Sequence, residues 1–292
     1  MESSLVTNLL LPLALGVVML GLGLSLTTDD FKRIARYPKA VLIGLATQTI
    51  VLVTIAYALT QWFALSPELS VGLMLLAASP GGATANIYSH LAKGDVALNI
   101  TLTAINSALA LITLPLIVNF SLAYFMGQEQ YVPPPTRKVV EVAAIIVFPV
   151  LIGMALRASR PRWAARLEKP IRIFAVLVLL AVILAAIGAE WDRLPGFIAA
   201  VGGACLAFNL LSIGVGYGLP RLLKLERSQS IAISMEIGIH NGTLAIFIAL
   251  NILQNAQMSI PAAVYSIIMF LTAGVFAYGI TRQSPAPDVR GG

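Results

Sequence analysis

The sequence predicts an all-α membrane protein of nine transmembrane helices, arranged as an inverted repeat that lacks its first helix. Three observations carry that prediction. The 292 residues are 58% hydrophobic and only 11% charged, with a mean hydropathy of +0.89, where an ordinary soluble domain carries about one-quarter charged residues. Apolar runs long enough to cross a hydrocarbon core of about 30 Å recur along the whole chain. The basic residues gather in alternate connecting segments, as the positive-inside rule requires of a multi-pass protein.

The spans are expected at 5–26, 38–62, 69–92, 96–124, 139–156, 173–189, 196–219, 230–253 and 261–281. The first precedes any Lys or Arg, since Lys32 is the first basic residue. It therefore lacks the basic flank of a signal peptide and reads as a retained helix. The second carries Gln48. The third has Pro80-Gly81-Gly82 near its middle, where proline removes a backbone donor and clashes with the preceding turn, so a break is expected. The fourth sets Asn99, Thr103 and Asn106 at i, i+4 and i+7, on one helical face. The fifth begins near Glu141. The seventh holds Cys205, the only cysteine, which has no partner for an internal disulfide and reads as packing. The eighth is interrupted by Gly238 and Gly242 around "IHN", again near the middle.

Charge placement tests this division. Of the 19 basic residues, 16 fall on one set of alternate segments, and only Arg137, Lys138 and Arg193 fall on the other. One span too many or too few would move every later loop to the wrong side. The N-terminus is thus expected outside and the C-terminus in the cytoplasm, in a cell inner or plasma membrane. The same scattered charges give a net charge of +6 without implying a nucleic-acid partner. The run "RASRPRWAARLEKPIR" reads as an interfacial helix touching anionic lipid.

The two broken spans lie five apart and so run in opposite directions. Laying spans one to four on spans six to nine superposes the breaks, leaving the fifth unpaired. Interrupted helices at matching positions of inverted halves point to a transporter's binding site near the membrane midplane. Single-span explanations, a kink or a small-residue packing surface, do not account for the match.

Glu236 is the acidic residue that lies deep within a span, and burying it costs about 2.5–3.5 kcal/mol even on lenient scales. With no Lys or Arg at comparable depth, a bound cation is its natural partner. Buried neutral oxygens on Gln48, Thr84, Asn86, Asn99, Thr103, Asn106, Ser107 and Asn241 suit a hard monovalent cation. The half-helix N-termini near Ala83-Thr84 and Asn241-Gly242-Thr243 favour an anion. Cation and anion bound together would raise each other's affinity, as a symporter requires.

At these residues the chain resembles the bile acid:sodium symporter family, through "SPGGATANIYSHLAKGDVALNITLT", "MEIGIHNGTLA", "GLGLSL" and "GLATQ". The resemblance covers nearly the whole chain and implies one membrane transporter domain over 1–292. Within it, a core formed by 38–124 and 196–281 contains two crossing discontinuous helices, and a panel is formed by 5–26 and 139–189. It implies a first sodium site from Asn86, Asn99, Thr103 and Glu236. A second would use Gln48, Glu236, the carbonyls of Ile237 and Ile239, and His240. Substrate is expected at Ala83, Thr84, Asn241, Gly242 and Thr243. Two positions depart from the family pattern: Ala85 replaces a serine, leaving only a backbone carbonyl there, and His240 replaces a glutamine.

The expected function is sodium-coupled symport of an organic anion, a bile acid or another carboxylate, by alternating access. One or two sodium ions serve it, with no organic cofactor. The alternative is a proton-coupled or single-sodium transporter in which a charged His240 replaces one cation. An uncharged His240 hydrogen-bonded to backbone is the other state of that residue. Expected partners are the small organic anion and membrane lipid, and the chain reads as a monomer. His90, at the end of the third span, reads as an interfacial anchor. An intramembrane enzyme is disfavoured, because Glu236 and His240 lack the further ligands of a catalytic zinc and no second deep carboxylate accompanies them. A passive channel is disfavoured too, since broken helices with a buried carboxylate suit an alternately accessible site.

Overall fold

The computed structural model describes residues 11–32, 37–82, 84–127, 136–167, 170–171, 173–174, 177 and 194–282. Within them the chain is helical, and a single isolated bridge between Gly81 and His240 replaces any strand. Four of the described helices are long and apolar enough to cross a membrane: Pro38–Trp62, Val96–Met126, Ala199–Leu222 and Gln257–Arg282. Leu15–Ser25, Pro67–Ala78, Val147–Ser159 and Gly242–Ile252 are shorter apolar helices. The described residues of the expected spans are helical apart from Leu26, 79–82, Thr84, Ala92, 239–241 and Leu253. The sixth, 173–189, lies outside the described residues apart from 173, 174 and 177, as do residues 5–10 of the first.

Helix α1 (Leu11–Ser25) is followed by the short α2 (Thr28–Lys32). The second span is α3 (Pro38–Ala46), a π-helical turn at Thr47–Val51, and α4 (Leu52–Trp62). Such π turns widen the backbone locally and are frequent at functional sites; this one carries Gln48. Helix α5 (Pro67–Ala78) starts where the Ser66 side chain accepts from the Leu69 amide at 3.4 Å with Pro67 in the first turn. It stops before Pro80, and Ser79 is extended (φ −71°, ψ 138°), the conformation imposed on a residue that precedes proline. The chain resumes as α6 (Ala85–Leu91).

Asp95 caps α7 (Val96–Met126) by accepting from the Leu98 amide at 3.0 Å. At 1.5 Å per residue its 31 residues exceed the thickness of a hydrocarbon core. Next come α8 (Thr136–Ser159) and α9 (Leu194–Leu222). Helix α10 (Arg227–Gly238) ends at the extended Ile239, and α11 (Gly242–Phe247) begins beyond it, leading into a second π turn at Ile248–Ile252. Helix α12 (Ile260–Arg282) completes the described chain.

Helix packing is heaviest in two places. Helix α1 lies along α8 at glycine contacts: a Cβ on Gly153 would fall 2.6 Å from the Leu20 carbonyl and 2.7 Å from Gly23. Small residues allow membrane helices to approach this closely. In the other, α5 packs with α7, α10 with α6, α7 and α9, and α12 with α9 and α5. Ile112, Leu116, Phe120 and Tyr124 form an exposed stripe on α7, each more than half accessible. That continuous apolar edge fits hydrocarbon contact, and the protein is a multi-pass membrane protein.

Candidate functional site

The segments 79–82 and 239–241 meet at the isolated bridge between Gly81 and His240. The Gly82 amide donates to the Ile239 carbonyl at 2.7 Å, and the Asn241 amide donates to the Pro80 carbonyl at 2.9 Å. Groups that the interrupted helices leave unpaired are thus satisfied by each other, which buried backbone requires. Proline and glycine act together here. Pro80 ends α5, and Gly81 lets the crossing backbone lie directly on the Glu236 side chain.

Glu236 is fully buried in the last turn of α10. Its Oε2 accepts from Thr103 Oγ1 at 2.5 Å, and its Oε1 accepts from Asn106 Nδ2 at 3.1 Å. Asn99, one turn before Thr103, donates from Nδ2 to the Ala232 carbonyl at 2.7 Å. The polar face of α7 therefore lies against α10. Gln48 donates from Nε2 to the carbonyls of Ala77 and Ser79, both at 3.1 Å, and so ties the π turn to the end of α5.

In Gln48, Asn99 and Asn106 the nitrogen is occupied and the oxygen is not. Gln48 Oε1, Asn86 Oδ1, Asn99 Oδ1 and Asn106 Oδ1 are buried without a hydrogen-bond partner among the described residues. Orphaned buried acceptors are costly in an apolar interior. A hard cation satisfies such oxygens, so the residues present fit an alkali ion. Among the described residues no three His, Cys, Asp or Glu side chains cluster.

His240 is buried at the crossing. Its Nδ1 lies 3.0 Å from the Ser79 carbonyl, while Nε2 has no partner among the described residues. The ring is stacked on Phe208 at 5.6 Å and edge-on to Tyr265 at 5.4 Å. Glu236 and His240, both described, form no ion pair.

Asn241 caps its own half-helix, with Oδ1 accepting from the Leu244 amide at 3.1 Å. Gly242 and Thr243 are buried in the first turn of α11, and Thr84 is half-buried at the start of α6. Ala83 lies outside the described residues. The Ile237 and Ile239 backbones flank the end of α10, and the Ile239 carbonyl already receives the Gly82 amide. His90 is exposed at the end of α6.

Several residues here escape the sequence argument. Asn209 on α9 donates to the Gly238 carbonyl at 3.0 Å and accepts from Thr272. Tyr265 donates to the same carbonyl at 2.9 Å. Asn209 gave the same signal as Gln48, a lone amide in an apolar span; Tyr265, in an apolar context, gave none.

A family model described as Sodium Bile acid symporter family matches residues 12–195. Similar proteins include "Uncharacterized sodium-dependent transporter YocS" of Bacillus subtilis (strain 168), 25% identical over 264 residues, which are 90% of this chain and 80% of that protein. "Probable sodium/metabolite cotransporter BASS1, chloroplastic" of Arabidopsis thaliana is 28% identical over 92% of this chain and 66% of its own length. "Hepatic sodium/bile acid cotransporter" of Rattus norvegicus is 27% identical over 80% of this chain and 65% of its own length. With the model matching more than half of its length, the chain belongs to the Sodium Bile acid symporter family, and it is a transporter rather than an enzyme.

Proposed function

We propose that this protein moves an organic anion inward by symport with sodium, through alternating access. The observation that carries the proposal is the buried Glu236 carboxyl group, which makes no ion pair among the described residues and is bonded by Asn106, whose own amide oxygen is buried without a partner there. A carboxylate at that depth needs a counter-charge, and neutral oxygens beside it supply the rest of an alkali-ion shell. The printed names of the relatives support sodium as the coupling ion.

Asn86, Asn99, Thr103 and Glu236 are the best-supported sodium ligands, with the Ala85 carbonyl beside them. The second set, Gln48, Glu236, the Ile237 and Ile239 carbonyls and His240, is weaker. Ile239 spends one lone pair on Gly82, and imidazole nitrogen is a poor ligand for a hard alkali cation. A single-sodium stoichiometry follows. The proton-coupled alternative would place an imidazolium beside Glu236, and the hydrogen bond from His240 to Ser79 without an ion pair supports the uncharged ring instead.

Thr84, Asn241, Gly242 and Thr243, with Ala83, are proposed to receive the anion at the half-helix N-termini, where free amides favour negative charge. The nine spans, the outside N-terminus, the inverted repeat and the two discontinuous transmembrane helices belong to the same proposal. So does the division into a core and a panel, supported by the extensive packing of α1 on α8. Uptake by Glu236→Ala in proteoliposomes tests the assignment. The expected result is a folded protein with no sodium-driven uptake, and full sodium-driven uptake would refute it. A thermal-shift screen of organic acids with and without sodium identifies the substrate.

A further inference from the structure

We propose that the short helix 161–167, together with Arg160, is a docking surface that selects anionic phospholipid. Its arginines hold the lipid phosphate while Trp163 sits at the level of the headgroups. The inference concerns a different part of the molecule from the sodium reading of Glu236 and does not depend on it.

Proline at 161 has no amide hydrogen with which to continue α8. Helix α8 closes at Ser159, whose Oγ donates to the Ala155 carbonyl at 2.8 Å, and the Arg160 amide still reaches the Leu156 carbonyl at 2.8 Å. The Arg160 carbonyl then accepts from the Trp163 and Ala164 amides, both at 3.0 Å, and a new helix runs through 161–167. Ala164 is fully buried, so this helix is seated on the protein, whereas Arg160, Arg162, Trp163 and Arg166 are exposed. Trp163 and Leu167 lie four residues apart on one face, 58% and 38% accessible, and Arg162 and Arg166 lie four apart on the neighbouring one.

The surface continues a face that suits lipid. Phe148, Leu151 and Ile152 of α8 are each more than half accessible and share one side of the helix. Arg160 lies eight residues beyond Ile152, roughly 12 Å by helical rise. That step leads from an apolar face to the headgroup layer, where tryptophan is favoured.

Charge decides the kind of lipid. Other basic side chains are spent on the protein: Lys39 donates to the Leu223 carbonyl at 2.7 Å, Arg221 to the Leu225 carbonyl at 2.7 Å, and Arg282 lies 4.4 Å over the Tyr278 ring. The side chains of Arg160, Arg162 and Arg166 make no ion pair or hydrogen bond among the described residues. Three unspent guanidinium groups beside an interfacial tryptophan match an anionic headgroup, because guanidinium grips phosphate oxygens in a bidentate fork and anionic lipid attracts basic segments. A zwitterionic lipid carries an ammonium beside its phosphate, which offsets that attraction.

Quenching of Trp163 by acyl-brominated lipid tests the surface in nanodiscs, with Trp62 and Trp191 replaced by Phe. Brominated phosphatidylglycerol diluted into phosphatidylcholine discs is expected to quench Trp163 more than the same fraction of brominated phosphatidylcholine. The excess should vanish in Arg160→Gln/Arg162→Gln/Arg166→Gln. Equal quenching by the two lipids, or an excess that survives the triple substitution, would overturn the proposal. If the triple variant fails to fold, Arg166→Gln decides: the phosphatidylglycerol fraction giving half of the quenching should rise about five-fold, as loss of one basic residue at an anionic surface implies, and an unchanged fraction would overturn it. Lys224→Gln, outside this helix, should leave the excess intact, and an equal loss there would mean a diffuse attraction to all basic loops. Sodium chloride and sodium phosphate at equal ionic strength should weaken the excess alike; selective displacement by phosphate would mean a site for soluble anions instead.

Discussion

Gly81 lies flat against the carboxyl group of Glu236: a Cβ added to Gly81 would overlap Cδ and both carboxylate oxygens, with Oε2 at 2.6 Å. The glycine is required by this close approach, since the neighbouring atoms belong to the acid and not to a flexible surface chain. Gly82 is different, because its added Cβ would meet the His240 carbonyl at 3.2 Å. Gly81→Ala is therefore expected to displace the carboxylate, lower stability by about 1–3 kcal/mol and abolish the sodium-induced rise in melting temperature. Gly82→Ala should keep most of that rise. Thermal unfolding of both variants with and without sodium checks the pair.

The two side-chain hydrogen bonds on Glu236 reach different oxygens. Thr103 reaches Oε2 at 2.5 Å and Asn106 reaches Oε1 at 3.1 Å. Thr103→Val keeps the shape but removes both a donor to the acid and a proposed ligand. A hydrogen bond to a charged group contributes about 1.5–3 kcal/mol, so sodium affinity should fall by about ten-fold or more. Sodium titration of uptake measures the change, and unaltered half-saturation would remove Thr103 from the site.

Much of this site was legible because depth in an apolar span makes polarity conspicuous. Glu236, Gln48, Asn99, Thr103 and Asn106 stood out against hydrocarbon-like neighbours, and the i, i+4, i+7 spacing placed the α7 residues on the face that meets α10. Pro80 and the paired glycines lie where α5 gives way to α6 and α10 to α11. What the spacing could not carry was the third dimension. That the Gly82 amide would pair with Ile239, and the Asn241 amide with Pro80, depends on how two distant segments cross. Nor could it show which atom of each amide would be spent, which depends on local carbonyls such as Ala77 and Ala232. The π turn around Gln48 was invisible because its composition is that of an ordinary helix.

His240 occupies a position where an amide oxygen would serve a hard cation better. Its Nδ1 is engaged with Ser79, and its ring is packed by Phe208 and Tyr265. His240→Gln is expected to add a second sodium to the cycle. The measurement is the steepness of uptake against sodium concentration, which should change from one-site to cooperative. Uptake by the unsubstituted protein under separately imposed sodium and pH gradients should respond to sodium alone; acceleration by an inward proton gradient would instead support a charged imidazole.

Gln48 and Asn209 occupy the second and seventh spans, which superpose in the expected repeat, and they perform the same task on the two interrupted helices. Gln48 holds carbonyls at the end of α5, and Asn209 holds the Gly238 carbonyl at the end of α10. Each half-helix leaves its last carbonyls without intrahelical partners, and in a dry interior those groups need a donor. The Gly238 carbonyl has two, Asn209 and Tyr265. Removing one should therefore cost little, about 0.5–1.5 kcal/mol for Asn209→Leu or Tyr265→Phe alone. Removing both leaves the carbonyl orphaned, so the double variant should lose more than the sum of the two. Thermal unfolding of the three variants completes the cycle. Strict additivity would mean that the end of α10 finds another donor and that Asn209 is packing alone.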